Sequence, residues 1–392
     1  MPRFALLAGS LFVLATATAL SIGFFSGASA HGFPAWNEIE LLGYMLLGGN
    51  SICLGILFSR GWHRFRRTQL RGFGPFRISR EMLYILPSGV AAAFLMPVLV
   101  VLSRMGVSWV AAWVVTRLGA MLIARGVDSV HFRKGLLRRK VSEEENFVLI
   151  LASAALLIPL AGEADAGLRA LLRPESLVAL AIFCGATAFR LARLSTFKNS
   201  VPVGAMVDDV VYLTVEQLGA SATLVVLAVA VFSVGGGSNS WGAILLRALT
   251  DPPPGWERAL VAGSVYGLGS WATVMLLLSR GRTTTFAVLL TRIISTFAIV
   301  LAANFSHRAW GTPSVSAAQW IGFTILVGAM VLLGQAERHR DRDRWARVSR
   351  TTLVQPEVEA LNPDCEMTLA FADPDRDPDH RAGWNESGRE PT

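Results

Sequence analysis

The sequence predicts an all-α polytopic membrane protein of about ten transmembrane helices, arranged as two inverted five-helix repeats. Three observations carry this expectation. Of 392 residues, 53% are hydrophobic and only 16% are charged, whereas soluble domains hold roughly 25% charged residues. The apolar residues fall in long uninterrupted runs, which membrane spans explain better than several buried cores do. Finally, two segments match. One reads Leu102-Ser103-Arg104, Thr116-Arg117 and Val141-Ser142; the other reads Leu278-Ser279-Arg280, Thr291-Arg292 and Val315-Ser316. Their landmarks stay in register to within one residue per interval, and each segment closes into another apolar run.

At roughly 18–23 apolar residues per span, ten spans are expected: 5–26, 39–59, 82–104, 107–128, 145–162, 177–193, 210–232, 260–279, 284–304 and 317–334. The first has a second reading. Arg3, an apolar stretch and Ala28-Ser29-Ala30 before His31 resemble a secretory signal with its cleavage site. The apolar core, about Ala5 to Phe25, exceeds the ~7–15 residues of a signal, and the repeat needs a partner for span six. A retained helix is therefore expected.

Orientation follows from the loops. The 60–81 loop carries Arg60, Arg64, Arg66, Arg67, Arg71, Arg77 and Arg80, and the 129–144 loop carries Arg133, Lys134, Arg138, Arg139 and Lys140. Arg338, Arg340, Arg342, Arg344, Arg347 and Arg350 follow the last span. The alternate loops hold far fewer cations: Arg104, Arg169, Arg173, Arg247, Arg258 and Arg308. Both termini are thus expected in the cytoplasm, in a plasma membrane such as a bacterial inner membrane. The net charge of +8 sits in these short loops, which argues against a nucleic-acid partner. Five spans per half is an odd number, so the two copies must face opposite ways, the arrangement that underlies alternating access in many carriers.

The expected domains are a first repeat over 1–162, a second over 163–336 and a tail over 337–392. Gly235-Gly236-Gly237-Ser238 and Pro252-Pro253-Pro254 are turn signals between spans seven and eight. The tail is basic, then acidic with Asp373, Asp375, Asp377 and Asp379, a composition expected to remain disordered. Its basic part suits anionic lipid headgroups.

Two cations stand out because a charge deep in a span costs roughly 2.5–3.5 kcal/mol on the insertion scale and so needs a cavity or a partner. Arg117 is central to span four, and Arg292 lies eight residues into span nine. Guanidinium stays charged and grips a carboxylate or phosphate through two parallel hydrogen bonds. Glu216 and Gln217 lie six residues into span seven, below Asp208, Asp209 and Tyr212. Glu216 is suited to pairing with Arg292 or to taking up a proton if desolvation raises its pKa. Thr283, Thr284 and Thr285 open span nine, where helix capping is the expected role.

Gly263 and Gly267 form a GxxxG in span eight, and Gly322, Gly328 and Gly334 punctuate span ten; both are expected packing faces. Trp109 and Trp113 are expected in the interface belt or in helix packing. Cys53, Cys184 and Cys365 support no disulfide framework and, with the scattered histidines, no zinc spacing. HExxH, the Walker lysine loop and GxSxG are absent. These absences argue against an enzyme and against a cofactor.

The segment TTTFAVLLTRIISTFAIVL followed by SVSAAQWIGFTILVGAMVLL, about 283–334, resembles the last two helices of a nucleotide-sugar transporter. Together with ten helices in two inverted fives, this is similar to the drug/metabolite transporter superfamily, which also includes the EamA-type permeases. Thr291 and Arg292 match that family's ninth-helix cluster, Gln319-Trp320-Ile321-Gly322 matches the start of its tenth helix, and Arg117 falls where the first repeat usually has lysine. Ile293 stands where a lysine would follow, and Met121 near where a second first-repeat cation is expected. Both departures weigh against a nucleotide-diphosphate substrate.

The resemblance implies a secondary transporter for a small anionic or zwitterionic metabolite. Its expected site is Arg117, Arg292, Thr116, Thr291, Glu216 and Gln217, with a proton or counter-substrate as coupling partner. A flippase for a lipid-linked substrate and a non-transport membrane enzyme or scaffold are the alternatives. Monomer and homodimer both stay open.

Overall fold

A computed structural model describes residues 2–27, 36–62, 70–73, 76–137, 140–161, 169–200, 209–234, 240–312 and 314–359. The Ala28-Ser29-Ala30 motif, His31, much of the 60–81 arginine cluster, Arg138, Arg139, Asp208, the Gly235–Ser238 turn, Cys365 and the acidic tail lie outside the described residues.

Eleven helices are described: α1 (Pro2–Gly27), α2 (Glu38–Ser59), α3 (Arg80–Arg104), α4 (Trp109–Arg133), α5 (Glu143–Ala161), α6 (Pro174–Ser200), α7 (Asp209–Val234), α8 (Trp241–Thr250), α9 (Trp256–Leu277), α10 (Thr284–Trp310) and α11 (Ala317–Glu359). All but the short α8 are long and apolar enough to cross a membrane, which makes ten spans among the described residues. The sequence expectation and the observed spans agree in number and order. The helices form because every backbone N–H and C=O must be satisfied within its own segment once water is excluded.

The helix ends show ordinary local chemistry. Asn37 caps α2 through its side chain, with Glu40 closing the capping box. Ser108 caps α4, Ser240 caps α8 and Thr283 caps α10, as threonine at that place predicted. α10 ends on Gly311 in the left-handed region at φ 67°, a conformation that favours glycine.

Two features depart from the sequence reading. Between α2 and α3, β1 (Leu70–Phe73) and β2 (Phe76–Ser79) pair antiparallel, with Leu70 opposite Ser79 and Phe73 opposite Phe76. The run of arginines there reads as a plain basic loop, yet Gly-Pro between two short segments suits a hairpin. The stretch 337–359, expected to be disordered, is helical and continues α11 to Glu359. Arginine, alanine and glutamate are good helix formers, and Arg340 pairs with Glu337 at 3.3 Å one turn away.

The chain divides into two compact units, Met1–Leu333 and Gly334–Thr392. Within the first, α2 packs against α9, and α3 packs against α7 and α6. α1 lies against α9 and α10, α6 also meets α4, and α4 meets α10 across the centre. The tightest approaches are at glycine. A Cβ on Gly267 would lie 2.6 Å from the Gly49 carbonyl oxygen, and one on Gly219 would lie 2.8 Å from that of Leu86. The expected packing role of Gly263 and Gly267 is thus seen, with Met45 and Gly49 of α2 as its partners. In α11, Gly322 meets α5 at the carbonyl of Ala155, whereas Gly328 and Gly334 face open space.

Candidate functional site

One group of charged side chains within the spans, Arg117, Arg190, Glu216 and Arg292, comes from α4, α6, α7 and α10. Arg117 of α4 donates from Nη1 to the carbonyl of Arg292 at 3.0 Å, to Ser295 Oγ at 2.5 Å and to Thr296 Oγ1 at 3.4 Å. Its guanidinium also lies over the Trp113 ring, 4.0 Å from the centroid, where the ring's negative face attracts the cation. Ser295 and Thr296 donate to the same Arg292 carbonyl at 3.1 and 2.7 Å. Arg117 is therefore a strut between α4 and α10, tied to the backbone of the other repeat-matched arginine.

Arg292 differs. It is half-buried, its Nε is buried, and that atom has no hydrogen-bond partner in the structure. The guanidinium of Arg190 in α6 lies close enough for its charge to act on it. Arg190 was not among the sequence candidates. It lies three residues before the expected end of span six, where a cation followed by Arg193 reads as the approach to a basic interface. In the structure α6 runs on to Ser200, and Arg190 is left inside.

Glu216 pairs with Arg190 and not, as its placement suggested, with Arg292. Arg190 Nε donates to Glu216 Oε1 at 2.8 Å and Nη2 to Oε2 at 3.2 Å, in the fork geometry that guanidinium favours. Ser88 of α3 donates to the same carboxylate at 2.9 Å and lies 2.8 Å from the Tyr212 hydroxyl. Phe197 packs on the Tyr212 ring with centroids 5.0 Å apart. Of the three guanidiniums, those of Arg117, Arg190 and Arg292, only that of Arg190 is bonded to a carboxylate among the described residues, so positive charge is in excess here.

The remaining sequence candidates have internal roles. Gln217 bridges three helices: its amide donates to Asn50 Oδ1 at 2.9 Å and to Ser221 at 3.2 Å, and its carbonyl accepts from Trp271 Nε1 at 3.1 Å. Thr116 donates to the carbonyl of Ala112 at 2.8 Å, and Thr291 to that of Val288 at 3.0 Å. Both threonines answer their own helix backbone, so neither has a free donor for a ligand. Tyr44 donates to the carbonyl of Ala248 in α8, and Tyr84 to that of Arg193 at 3.3 Å.

A second polar cluster occupies the end of the bundle where α4 finishes and α10 begins. Asp128 is fully buried. Its Oδ1 accepts from the Thr284 N–H at 3.0 Å, and its Oδ2 from the Thr285 N–H at 2.6 Å and the Thr285 hydroxyl at 2.7 Å. Beside it Thr283 donates to Glu145 at 2.7 Å, Lys198 donates to the carbonyl of Leu277 at 3.3 Å, and His131 lies 2.8 Å from Ser195 Oγ. The sequence reading ended span four at Asp128. α4 continues for another turn and more, which buries it.

No protein-family model and no curated protein matches the chain. Solved structures do share its fold. One, described only as the crystal structure of a protein, superposes with a TM-score of 0.55 over 86% of this chain and 99% of its own, at 15% identity. That likeness speaks to the arrangement of helices alone.

Proposed function

We propose that the chain is a secondary transporter that carries a small anionic metabolite by alternating access between two inverted five-span repeats. The observation that carries this reading is the unpartnered Nε of Arg292 beside Arg190, in a bundle interior with more guanidinium than carboxylate. An uncompensated cation in a membrane is costly unless it meets water or an anion. Two guanidiniums side by side suit a carboxylate or phosphate taken through paired hydrogen bonds.

The packing supports the repeat. Exchange α1 with α6, α2 with α7, α3 with α9 and α4 with α10. The pair α2–α9 then becomes α7–α3, α1–α10 becomes α6–α4, and α9–α1 becomes α3–α6, all of which are packed pairs. The glycine approaches exchange in the same way, Gly49 with Gly267 for Gly219 with Gly89. An internal two-fold relation accounts for this pattern, and two related halves give the two related conformations that alternating access requires. In this reading the basic loops and both termini face the cytoplasm.

Counterflow in proteoliposomes with pooled labelled anions, including organic phosphates, dicarboxylates and amino acids, tests the proposal. Accumulation by the wild type that falls to background in Arg292→Ala, with membrane insertion retained, supports it. Unchanged uptake by that variant removes Arg292 from the site.

One observation favours a second reading, an amphiphilic substrate. A groove of about 500 Å³ lined by Leu86, Pro87, Val90 and Ala91 of α3 and Ile182 and Phe189 of α6 opens next to the residues that carry the Arg190–Glu216 pair. Protection of a lipid headgroup from an aqueous reagent separates a flippase from a carrier of soluble solutes.

A further inference from the structure

We propose that Asp128 is a latch that joins the two halves at one end of the bundle and sets the resting state of the carrier. The inference rests on the transport reading for its purpose, but its geometry stands by itself. Helix α10 starts with free N–H groups, as every helix does. Its own Thr283 caps one of them, accepting from the Phe286 N–H at 3.0 Å. The next two, on Thr284 and Thr285, are taken by a carboxylate from α4. Asp128 thus grips the positive end of α10 with charge-assisted bonds from another helix. Glu145 of α5 holds the adjoining Thr283 hydroxyl, and Lys198 of α6 holds the last turn of α9. All these bonds join helices at the α9–α10 turn, and the carboxylates come from 1–162 while the turn belongs to 163–336.

Among the described residues, the latch has no counterpart at the matching position of the second half. Asp128 lies eleven residues beyond Arg117, and the same step beyond Arg292 reaches Ala303, which has no acceptor side chain. The start of α4 is capped by its own Ser108, which accepts from the Ala111 N–H at 3.1 Å. Two related halves that close alternately are therefore tied unequally: the end holding Asp128 is sealed by buried charge, and opening it must break three hydrogen bonds to one side chain. The structure is accordingly the state closed at the Asp128 end, and that state is favoured at rest.

The test is thiol accessibility in full-length protein in nanodiscs, with Cys53, Cys184 and Cys365 replaced by alanine. One reporter is Met121→Cys, buried in α4 two turns from Asp128 toward Arg117; the other is Val107→Cys, buried at the opposite end. A water-soluble maleimide reads the open population at each reporter. Asp128→Asn replaces an acceptor oxygen with an amide that faces N–H donors, and Thr285→Val removes one donor and leaves the backbone intact.

The expected result is that Asp128→Asn speeds labelling of the Met121→Cys reporter by about tenfold, roughly the weight of one charge-assisted hydrogen bond on a two-state balance. Thr285→Val should give a smaller increase in the same direction, and labelling at Val107→Cys should not rise. Equal labelling at Met121→Cys in all three proteins overturns the latch. A parallel rise at both reporters overturns it too, because that marks general loosening and not the opening of one end. The labelling needs no substrate. A shift seen here with no solute in counterflow sinks the transport reading and leaves the latch, and transport without the shift does the reverse.

Discussion

Arg117 and Arg292 occupy matching places in two similar sequence segments yet do different work. Arg117 is buried against Trp113 and the backbone of α10, whereas Arg292 keeps a guanidinium without a hydrogen-bond partner on its buried Nε. The difference comes from Ser295 and Thr296, which turn their hydroxyls to the Arg292 carbonyl and make that carbonyl an anchor for Arg117. The residue that completes the cationic centre, Arg190, is held by Glu216. Removing one member of a buried ion pair leaves an uncompensated charge and costs about 3–5 kcal/mol, whereas removing both at once is far less harmful. Arg190→Met should therefore lower the melting temperature in detergent markedly, and Arg190→Met with Glu216→Gln should recover much of the loss. Additive effects of the two substitutions would show that the pair is not coupled.

At the scale of elements, the bundle is assembled by close backbone approach, with little bulky packing at the tightest crossings. Lipid tails are as apolar as leucine, so association of spans depends on dispersion and on small residues that let helices touch. Gly267 faces Gly49 and Gly219 faces Leu86 and Gly89, with no room for a side chain at either place. Gly267→Leu is expected to separate α2 from α9 and to abolish monodisperse protein in size-exclusion chromatography. Gly328→Ala, with open space at that Cβ, is expected to behave as wild type. Indistinguishable elution of the two variants would refute this account of the α2–α9 contact. Beside the glycines, Gln217, Asn50, Ser221 and Trp271 close a polar network between α2, α7 and α9. Each polar group there is matched by another, as a dry interior demands.

For the whole molecule, ten spans place the α4–α5 and α9–α10 connections at one end and the α3–α4 and α10–α11 connections at the other. The hydrogen bond from Thr283 to Glu145 already joins the first two. The arginine-rich loops belong with that end, and the proposed orientation, from the positive-inside rule, has it face the cytoplasm. Single cysteines placed in 134–137 and 278–282 should be labelled by an impermeant reagent only after cells are opened, and those in 105–106 and 314–316 in intact cells. The opposite pattern would invert the orientation and assign the Asp128 latch to the outer side.

The number, order and approximate limits of the spans were legible in the sequence because hydropathy is a local property: each segment's transfer from water to hydrocarbon is decided by its own residues. The helix cap at Thr283 was legible for the same reason, since a cap acts within its own first turn. The Thr-Arg pairs also marked where the polar centre lies. Pairings between distant helices were not legible. Arg190 and Asp128 each stood near the end of an expected span, where a charge looks like an interfacial anchor, and only the extra turns of α6 and α4 carry them inside. That Glu216 takes Arg190 over Arg292, and that Arg117 donates to the Arg292 carbonyl of α10, was decided by which helix faces meet. Helix crossing is set by small residues and by mutual satisfaction of buried polar groups across the bundle, a condition that no single segment contains.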